Sequence, residues 1–251
     1  MKNSFRTPYA LILILLLVFG CCNNDDPGPT PQLISVRAGS LDLNTGISTG
    51  NVPINSSIKF VVSTLIDPET ATTSSLALAK GTTFVAFTIS IFENIITLTP
   101  LSSLEFDTSY LLTISTALKS NKGVSLKSSS SFSFTTEPPP LLFVNMKSGT
   151  RDISIGERAT NVSTTLPFTI TFNTKVDPAT TIGEAISLNL ISGGTYTTIG
   201  IEVSVSDNAV TVAQINPLNH LAEYVLSTSG AIKSGKGVNL TNPISIYFIT
   251  E

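Results

Sequence analysis

Short runs in which apolar and polar residues alternate recur along most of the chain. Residues 58–62 read Ile-Lys-Phe-Val-Val, which is the period-two pattern of a β-strand with one buried face. Residues 86–92 and 95–99 flank Glu93-Asn94 and predict a hairpin, and Asp207-Asn208 marks the same turn later in the chain. No long stretch has helical periodicity, so the sequence predicts an all-β protein.

The second half of the chain repeats the first. Asn51-Val52 matches Asn161-Val162, and Asp67-Pro68 matches Asp177-Pro178, both at an offset of 110 residues. Matches at an offset of 114 are Tyr110 with Tyr224, Lys119-Ser120 with Lys233-Ser234, Gly123-Val124 with Gly237-Val238, and Thr136-Glu137 with Thr250-Glu251. A period of this length is typical of a whole domain and is too long for a solenoid repeat.

The change of offset predicts where the second repeat gains or loses residues relative to the first. Three extra residues are expected in the second repeat before the position of Pro100, and three are expected to be lost again before Tyr110. This alignment pairs Pro100 with Pro217, Leu104 with Leu221, and Ser103 with His220. The predicted domains are residues 32–137 and 141–251, each long enough for its own core, with Pro138-Pro139-Pro140 as a stiff hinge.

The first twenty residues have the pattern of a secretion signal. Lys2 and Arg6 precede an apolar run of ten residues at 10–19. Ten helical residues span about 15 Å, half of the hydrocarbon core, so the run fits a cleaved signal better than a membrane span. The residues before Cys21 resemble the bacterial lipobox, which implies lipid on the Cys21 thiol. Lipidation of Cys22, or an ordinary signal peptide with two incidental cysteines, is the alternative.

Residues 21–31 predict a lipid-bearing tether. Asp25-Asp26 is followed by alternating prolines, which favour an extended, semi-rigid spacer. Acids just after the lipidated cysteine resemble the surface-export signal of Bacteroidota lipoproteins. That resemblance implies an outer-membrane lipid anchor with display on the cell surface, and a plain polar linker is the alternative.

The composition of the chain argues against several classes of function. Both cysteines lie at the cleavage site, so the folded part has no disulfide, no cysteine nucleophile and no cysteine metal site. The net charge is −3 and only 12% of residues are charged, which gives nucleic acid no basic surface to bind. Thr, Val, Ile and Phe are abundant, which argues against a helical solenoid.

Motifs in both repeats resemble the bacterial Ig-like domain of surface-layer proteins and of many Bacteroidota lipoproteins. The matching features of the first repeat are Asn51-Val52-Pro53, Asp67-Pro68 with Thr70, Thr99-Pro100 with Leu104, Tyr110, Gly123, and Phe134 with Thr136. The second repeat departs at Ser163 and at residues 213–216. The resemblance covers residues 32–251 and implies two tandem Ig-like β-sandwiches with a spacer or adhesive role. The family has no shared catalytic residues to carry over.

Asp67 and Asp177 are candidate metal ligands because they recur at equivalent positions. Ig-like repeats sometimes bind Ca²⁺ near a domain junction. The competing interpretation is that each Asp-Pro starts a turn or caps a short helical turn. No D-x-D-x-D cluster supplies the six to eight oxygens that Ca²⁺ takes, and no other metal or cofactor is expected.

The other candidates for chemistry have structural interpretations. Residues 230–237 nearly spell a phosphate-binding loop, but Gly237 replaces the hydroxyl residue, so a turn between strands is predicted. His220 is the only histidine and is predicted to lie on a surface loop. The serines at 128–131 predict a solvated loop or strand start. Tyr196, after Gly193-Gly194, is the best candidate for stacking against a sugar ring.

The predicted function is therefore non-catalytic: a surface-anchored spacer, adhesive or presentation module, attached to the membrane through Cys21. A glycan- or protein-binding component of an outer-membrane uptake system is one alternative. The N-terminal part of a longer surface enzyme is another. Turnover that depends on Glu93, Glu202, Asp67, Asp177 or His220 would contradict the non-catalytic interpretation.

Overall fold

The computed structural model describes residues 27–44 and 46–251. The predicted signal peptide, Cys21, Cys22 and most of the tether lie outside these residues. Twenty β-strands and three short 3₁₀ turns make up the regular structure of the described part. None of its helical segments has the length and apolar character needed to cross a membrane.

Ten strands between residues 33 and 136 form the first sandwich. They are β1 (Leu33–Ala38), β2 (Leu41–Asp42), β3 (Thr49–Val52), β4 (Ile58–Val62), β5 (Leu76–Lys80), β6 (Thr83–Phe84), β7 (Phe87–Phe92), β8 (Ile95–Pro100), β9 (Ser109–Ile114) and β10 (Ser130–Thr136). One sheet has the order β2-β1-β4-β8-β7 and the other has the order β3-β10-β9-β5-β6. The hairpin predicted around Glu93-Asn94 is confirmed as β7 and β8.

Ten further strands repeat this arrangement between residues 143 and 250. They are β11 (Phe143–Ser148), β12 (Arg151–Ile153), β13 (Ala159–Val162), β14 (Phe168–Phe172), β15 (Ile186–Ser192), β16 (Thr195–Ile199), β17 (Ile201–Ser206), β18 (Ala209–Gln214), β19 (Glu223–Thr228) and β20 (Ser245–Thr250). The sheet orders are β12-β11-β14-β18-β17 and β13-β20-β19-β15-β16, which match those of the first sandwich strand for strand. The all-β prediction is confirmed.

Each sandwich has its own hydrophobic core, because the apolar positions of facing strands point between the two sheets. The first core includes Phe60 and Phe134, and the second includes Phe168 and Phe248, all with no exposed side-chain area. The first core takes its residues from 36–134 and the second from 141–248, so the described residues do not build a shared core. The alternating residues at 58–62 and at 168–172 supply matching parts of the two cores.

A buried tyrosine holds the same position in both sandwiches. The Tyr110 hydroxyl accepts a hydrogen bond from the Glu105 backbone N–H at 2.9 Å, and its ring lies 5.6 Å from that of Phe134. Tyr224 makes the equivalent bond with the Asn219 backbone N–H at 2.8 Å. This local anchor, in which a tyrosine near the start of a strand fixes the preceding loop, is typical of Ig-like sandwiches.

The predicted insertion before Pro100 is wrong. Leu104 and Leu218 each donate a backbone hydrogen bond at 2.9 Å, to the carbonyls of Ile54 and Thr164, so these leucines correspond. Leu104 therefore does not pair with Leu221, Pro100 does not pair with Pro217, and the counterpart of His220 is Phe106 rather than Ser103. The prolines coincided by chance in a loop whose pattern is weak.

The extra residues of the second repeat lie in a hairpin instead. In the first sandwich β5 and β6 pair only through Ala79 with Phe84 and Lys80 with Thr83. In the second, β15 and β16 pair along five positions, from Leu188 with Ile199 to Ser192 with Thr195. This longer hairpin accounts for the change of offset from 110 to 114. A hairpin can lengthen at its tip without disturbing the core, which explains why the repeats tolerate the insertion.

Residues predicted as tether and hinge contact the sandwiches. Pro31 is buried, and its carbonyl accepts a hydrogen bond from the Lys127 N–H at 3.2 Å. The Pro140 carbonyl accepts one from the Asn173 side-chain amide at 2.9 Å. One ion pair joins loops of the two sandwiches, with Lys236 Nζ 3.2 Å from Asp107 Oδ2. These contacts shorten the free chain at both ends of the first sandwich.

Candidate functional site

Asp67 forms the start of a 3₁₀ turn, Pro68–Thr70, after strand β4. Its Oδ1 accepts a hydrogen bond from the Glu69 backbone N–H at 3.1 Å, and Pro68 occupies the first turn, where no N–H is needed. The Thr70 hydroxyl donates to the Asp67 carbonyl at 2.8 Å and accepts from the Lys119 N–H at 3.0 Å. Asp-Pro-x-Thr thus ties the turn to the loop that follows β9.

Asp177 repeats this arrangement in the second sandwich. Its Oδ1 accepts from the Ala179 N–H at 3.0 Å, at the start of the 3₁₀ turn Pro178–Thr180. The Thr180 hydroxyl accepts from the Lys233 N–H at 2.9 Å. The predicted role of both aspartates as caps of short helical turns is confirmed, since the same four-residue motif makes the same bonds twice.

Among the described residues, the fold brings no cluster of further metal ligands to Asp67 or Asp177. One oxygen of each carboxylate already accepts a backbone N–H. Across residues 27–44 and 46–251, no three side chains of His, Cys, Asp or Glu gather as a metal site would require. Calcium binding at these aspartates stays an untested alternative.

The segment that resembles a phosphate-binding loop is a turn between β19 and β20. Lys233 and Asn239 form an isolated β-bridge, and the Ser234 hydroxyl accepts from the backbone N–H groups of Lys236 and Val238 at 3.3 Å and 3.2 Å. Ser120 makes the same bonds in the first sandwich, where Thr116 and Asn121 replace Gly230 and Gly235. The segment is a turn between strands, as predicted, and its serine organises the turn.

The remaining titratable candidates lie in separate places. His220 lies on an exposed loop, with Nδ1 3.0 Å from the carbonyl oxygen of Glu251. Glu93 is in the turn between β7 and β8, whereas Glu202 lies on β17 of the other sandwich. Within the described residues, neither Glu93 nor Glu202 forms a metal-ligand cluster with Asp67 or Asp177.

Tyr196 lies on the extended hairpin of the second sandwich. It belongs to β16, opposite Ile191, and 61% of its side chain is exposed. Gly193 and Gly194 both have positive φ and form the tight turn at the tip. Tyr196 is therefore an aromatic ring presented away from the core, as a stacking surface would require.

The serines at 128–131, predicted as a loop or strand start, lead into β10, which begins at Ser130.

An open apolar groove lies between the sheet edges of the first sandwich. It has a volume of about 320 Å³ and is lined by Leu76, Leu78, Phe84 and Phe87, with Phe84 76% exposed. This groove has no signal in the sequence, because Phe84 lies outside the predicted strand at residues 86–92 and Phe87 lies within it. The short β6 leaves the side of β5 open, which no local pattern reveals.

Sequence reasoning also missed the role of the glutamates that end both repeats. Glu137 Oε1 accepts from the Ile54 N–H at 3.1 Å, and Glu251 Oε1 accepts from the Thr164 N–H at 3.3 Å. The repeated Thr-Glu pair was a usable signal, since an acid recurring at the end of a strand can satisfy a nearby backbone donor. The pairing of Lys236 with Asp107 left no such signal, because the second repeat has Leu221 at the position of Asp107.

The comparison with protein families decides the identity of the two sandwiches. The sequence model described as the bacterial Ig-like domain matches residues 43–136 and again residues 151–250. The chain belongs to the bacterial Ig-like domain family. The two bacterial Ig-like domains correspond to the two sandwiches, and the resemblance inferred from the repeat motifs is confirmed. No curated protein matches this sequence.

The solved structures that match this chain include an S-layer protein, an α2-macroglobulin and a transpeptidase. The N-terminal part of the bacterial S-layer protein SbsC is 14% identical, with 88% of this chain and 44% of that chain covered and a TM-score of 0.33. E. coli α2-macroglobulin is 11% identical, with 89% and 14% covered and a TM-score of 0.36. L,D-transpeptidase 1 of Mycobacterium tuberculosis is 15% identical, with 71% and 78% covered and a TM-score of 0.27. This chain of bacterial Ig-like domains thus spans less than half of the S-layer fragment.

Proposed function

We propose that this protein is a non-catalytic lipoprotein that holds two bacterial Ig-like domains at the bacterial cell surface as a spacer, adhesive or presentation module. The lipid on Cys21 anchors the chain in the outer membrane. The tether carries the first domain away from the membrane, and the second domain lies beyond it along the chain. No cofactor takes part.

The observation that supports a spacer most directly is the completeness of each domain. Each sandwich buries its own aromatic residues and repeats the same tyrosine anchor and Asp-Pro-x-Thr turn. Three prolines join the domains, and such a linker is stiffer than a Gly/Ser linker of equal length. Self-sufficient domains joined end to end suit a role in which length and position matter more than a cleft.

Metabolic labelling with palmitate tests the anchor. The full-length chain, expressed in a bacterium with an outer membrane, is expected to incorporate label and to lose its first twenty residues on processing. Cys21→Ser is expected to abolish labelling and to leave uncleaved precursor, because the thiol is the site of acylation. Cys22→Ser is the matched control and is expected to keep labelling. Continued labelling of the Cys21→Ser variant would contradict the assignment.

Protease treatment of intact cells tests surface display separately. An outward-facing chain is digested without breaking the outer membrane, whereas a periplasmic one is protected until the membrane is permeabilised. Replacing Asp25-Asp26 with Asn-Asn tests the export signal, because the change keeps the size and polarity of the tether but removes its charge. Unchanged display in that variant would identify these residues as part of a plain polar linker.

Glycan binding is a second candidate, favoured by Tyr196. The ring is mostly exposed on a hairpin extension that the first domain lacks, so the core does not require it. A glycan array probed with residues 23–251 tests this function. Binding that is lost in Tyr196→Ala but kept in Phe84→Ala, a still more exposed aromatic of the other domain, would support a stacking site on the hairpin. Absence of binding to every glycan on the array would leave the spacer role alone.

A further inference from the structure

Strand β7 forms an open edge of the first domain. Within the described structure it pairs with β8 alone, at the end of the order β2-β1-β4-β8-β7. The inward-facing side chains of Phe87, Ile89 and Ile91 pack against the core but stay partly exposed, whereas Ile96 and Leu98 on β8 are fully buried. The core is therefore incomplete on the side where the next strand would lie.

The hydrogen bonds to β8 determine which backbone groups remain free. The Leu101 N–H donates to the Ala86 carbonyl at 3.0 Å, so these opposite residues form a hydrogen-bonded pair. In an antiparallel ladder such pairs alternate, so Thr88, Ser90 and Phe92 bond to β8. Pro100 agrees with this, because it lacks an N–H and lies opposite Phe87, in a position that does not bond. The N–H and C=O groups of Phe87, Ile89 and Ile91 thus point to the open side.

Nothing in the sequence of this edge discourages pairing with another strand. From Gly81 to Phe92 the chain has no charged residue and no proline, although exposed edges commonly carry lysine, proline or a bulge. The corresponding edge of the second domain, β17, carries Glu202 at the position of Thr88. Strand β7 therefore has apolar residues at every inward position and no charged residue that would repel a second strand, whereas β17 carries Glu202.

The edge is complementary to itself. If two molecules pair β7 antiparallel about a two-fold axis at Ile89, Phe87 faces Ile91 and Ile89 faces Ile89. All three residues with free N–H and C=O groups then meet their equivalents in hydrogen-bonded pairs, which allows six bonds. The same register puts the apolar side chains on the core side of both sheets and puts Thr88 opposite Ser90 on the solvent side. No like charges meet, so a second molecule is the occupant that this edge fits.

We propose that two molecules of this protein associate through β7 of the first domain and join two five-stranded sheets into one. The contact is isologous, as expected for a two-fold dimer. One strand per partner makes a small interface, so the dimer is expected to be weak, with a dissociation constant of about 10 μM to 1 mM. The inference does not depend on lipidation or on any ligand.

Sedimentation equilibrium of residues 23–251, which include every described residue, tests the proposal. The wild-type chain is expected to dimerise as its concentration rises to about 1 mM. Thr88→Lys with Ser90→Lys places lysine opposite lysine twice across the two-fold axis and is expected to weaken the dimer at least about tenfold. Both side chains are exposed, so the changes leave the core intact.

Two further variants make the test specific. Thr88→Lys with Ser90→Glu places opposite charges across the same axis and is expected to dimerise at least as well as the wild type. Glu202→Lys with Ser204→Lys alters the equivalent edge of the second domain and is expected to leave dimerisation unchanged. A wild-type chain that stays monomeric, a dimer that survives the double lysine change, a Lys/Glu variant that stays monomeric, or a dimer lost through β17 would each overturn the proposal.

Discussion

The tyrosine anchor offers a sharp test of the structure, because it occurs once in each domain. Replacing Tyr110 with Phe removes only the hydroxyl that accepts the Glu105 N–H, and the ring can still stack on Phe134 at 5.6 Å. The change therefore isolates one hydrogen bond. The matched variant, Tyr224→Phe, removes the equivalent bond to the Asn219 N–H in the second domain.

The expected loss of stability follows from burial. Tyr110 and Tyr224 are 4% and 1% exposed, so water does not readily replace the hydroxyl. Leaving a buried N–H without its partner costs about 1–3 kcal/mol, and the partly buried surroundings of the donor place the expected value at about 1–2 kcal/mol. That loss corresponds to a roughly 5- to 30-fold increase in the population of the unfolded domain.

Hydrogen exchange measured by mass spectrometry can assign this loss to one domain. In Tyr110→Phe, amides of β9 and β10 are expected to exchange about 5- to 30-fold faster, while those of β19 and β20 keep the wild-type rate. Tyr224→Phe should give the reverse pattern. Equal acceleration in both domains would show that they unfold as one unit. No acceleration in either would show that the tyrosine hydroxyl does not support the loop.

The other expected outcomes concern the turns and the contact between domains. Thr70→Val should lower the free energy of unfolding of the first domain by about 1–2 kcal/mol, measured by the same exchange experiment, because the hydroxyl links the Asp67 turn to the next loop. Lys236→Ala should change stability by less than about 0.5 kcal/mol in urea titration, since its ion pair with Asp107 is solvent-exposed. Calorimetric titration with CaCl₂ should show no stoichiometric heat, whereas heat lost in Asp67→Ala and Asp177→Ala would identify both aspartates as ligands.

The parts of the fold that sequence reasoning predicted are those with a periodic or repeated signal. The alternation at residues 58–62, the turn at Glu93-Asn94 and the Asp-Pro-x-Thr motif each follow from a local rule and appear as predicted. The repeat strengthened each prediction, because the same pattern occurred twice. Tyr196 was also predicted as exposed, since it follows a double-glycine turn.

The parts that were missed depend on contacts between distant residues. Three extra residues were predicted near Pro217, whereas the second repeat has four extra residues in the hairpin of β15 and β16. Loop alignments rest on few residues, so the chance matches of Pro100 with Pro217 and of Leu104 with Leu221 gave the wrong register. The open edge at β7 and the groove beside Phe84 depend on which strands end a sheet, and local periodicity carries no information about strand order.

Separate expression of the two domains shows whether each sandwich is self-sufficient. Because each sandwich has its own core, residues 27–137 and 138–251 should each fold alone. Each fragment is expected to give a β-type circular dichroism spectrum and one cooperative thermal transition, at a temperature within a few degrees of the same domain in the intact chain. A fragment that is unfolded alone, while the intact chain is folded, would show that the two sandwiches are not self-sufficient.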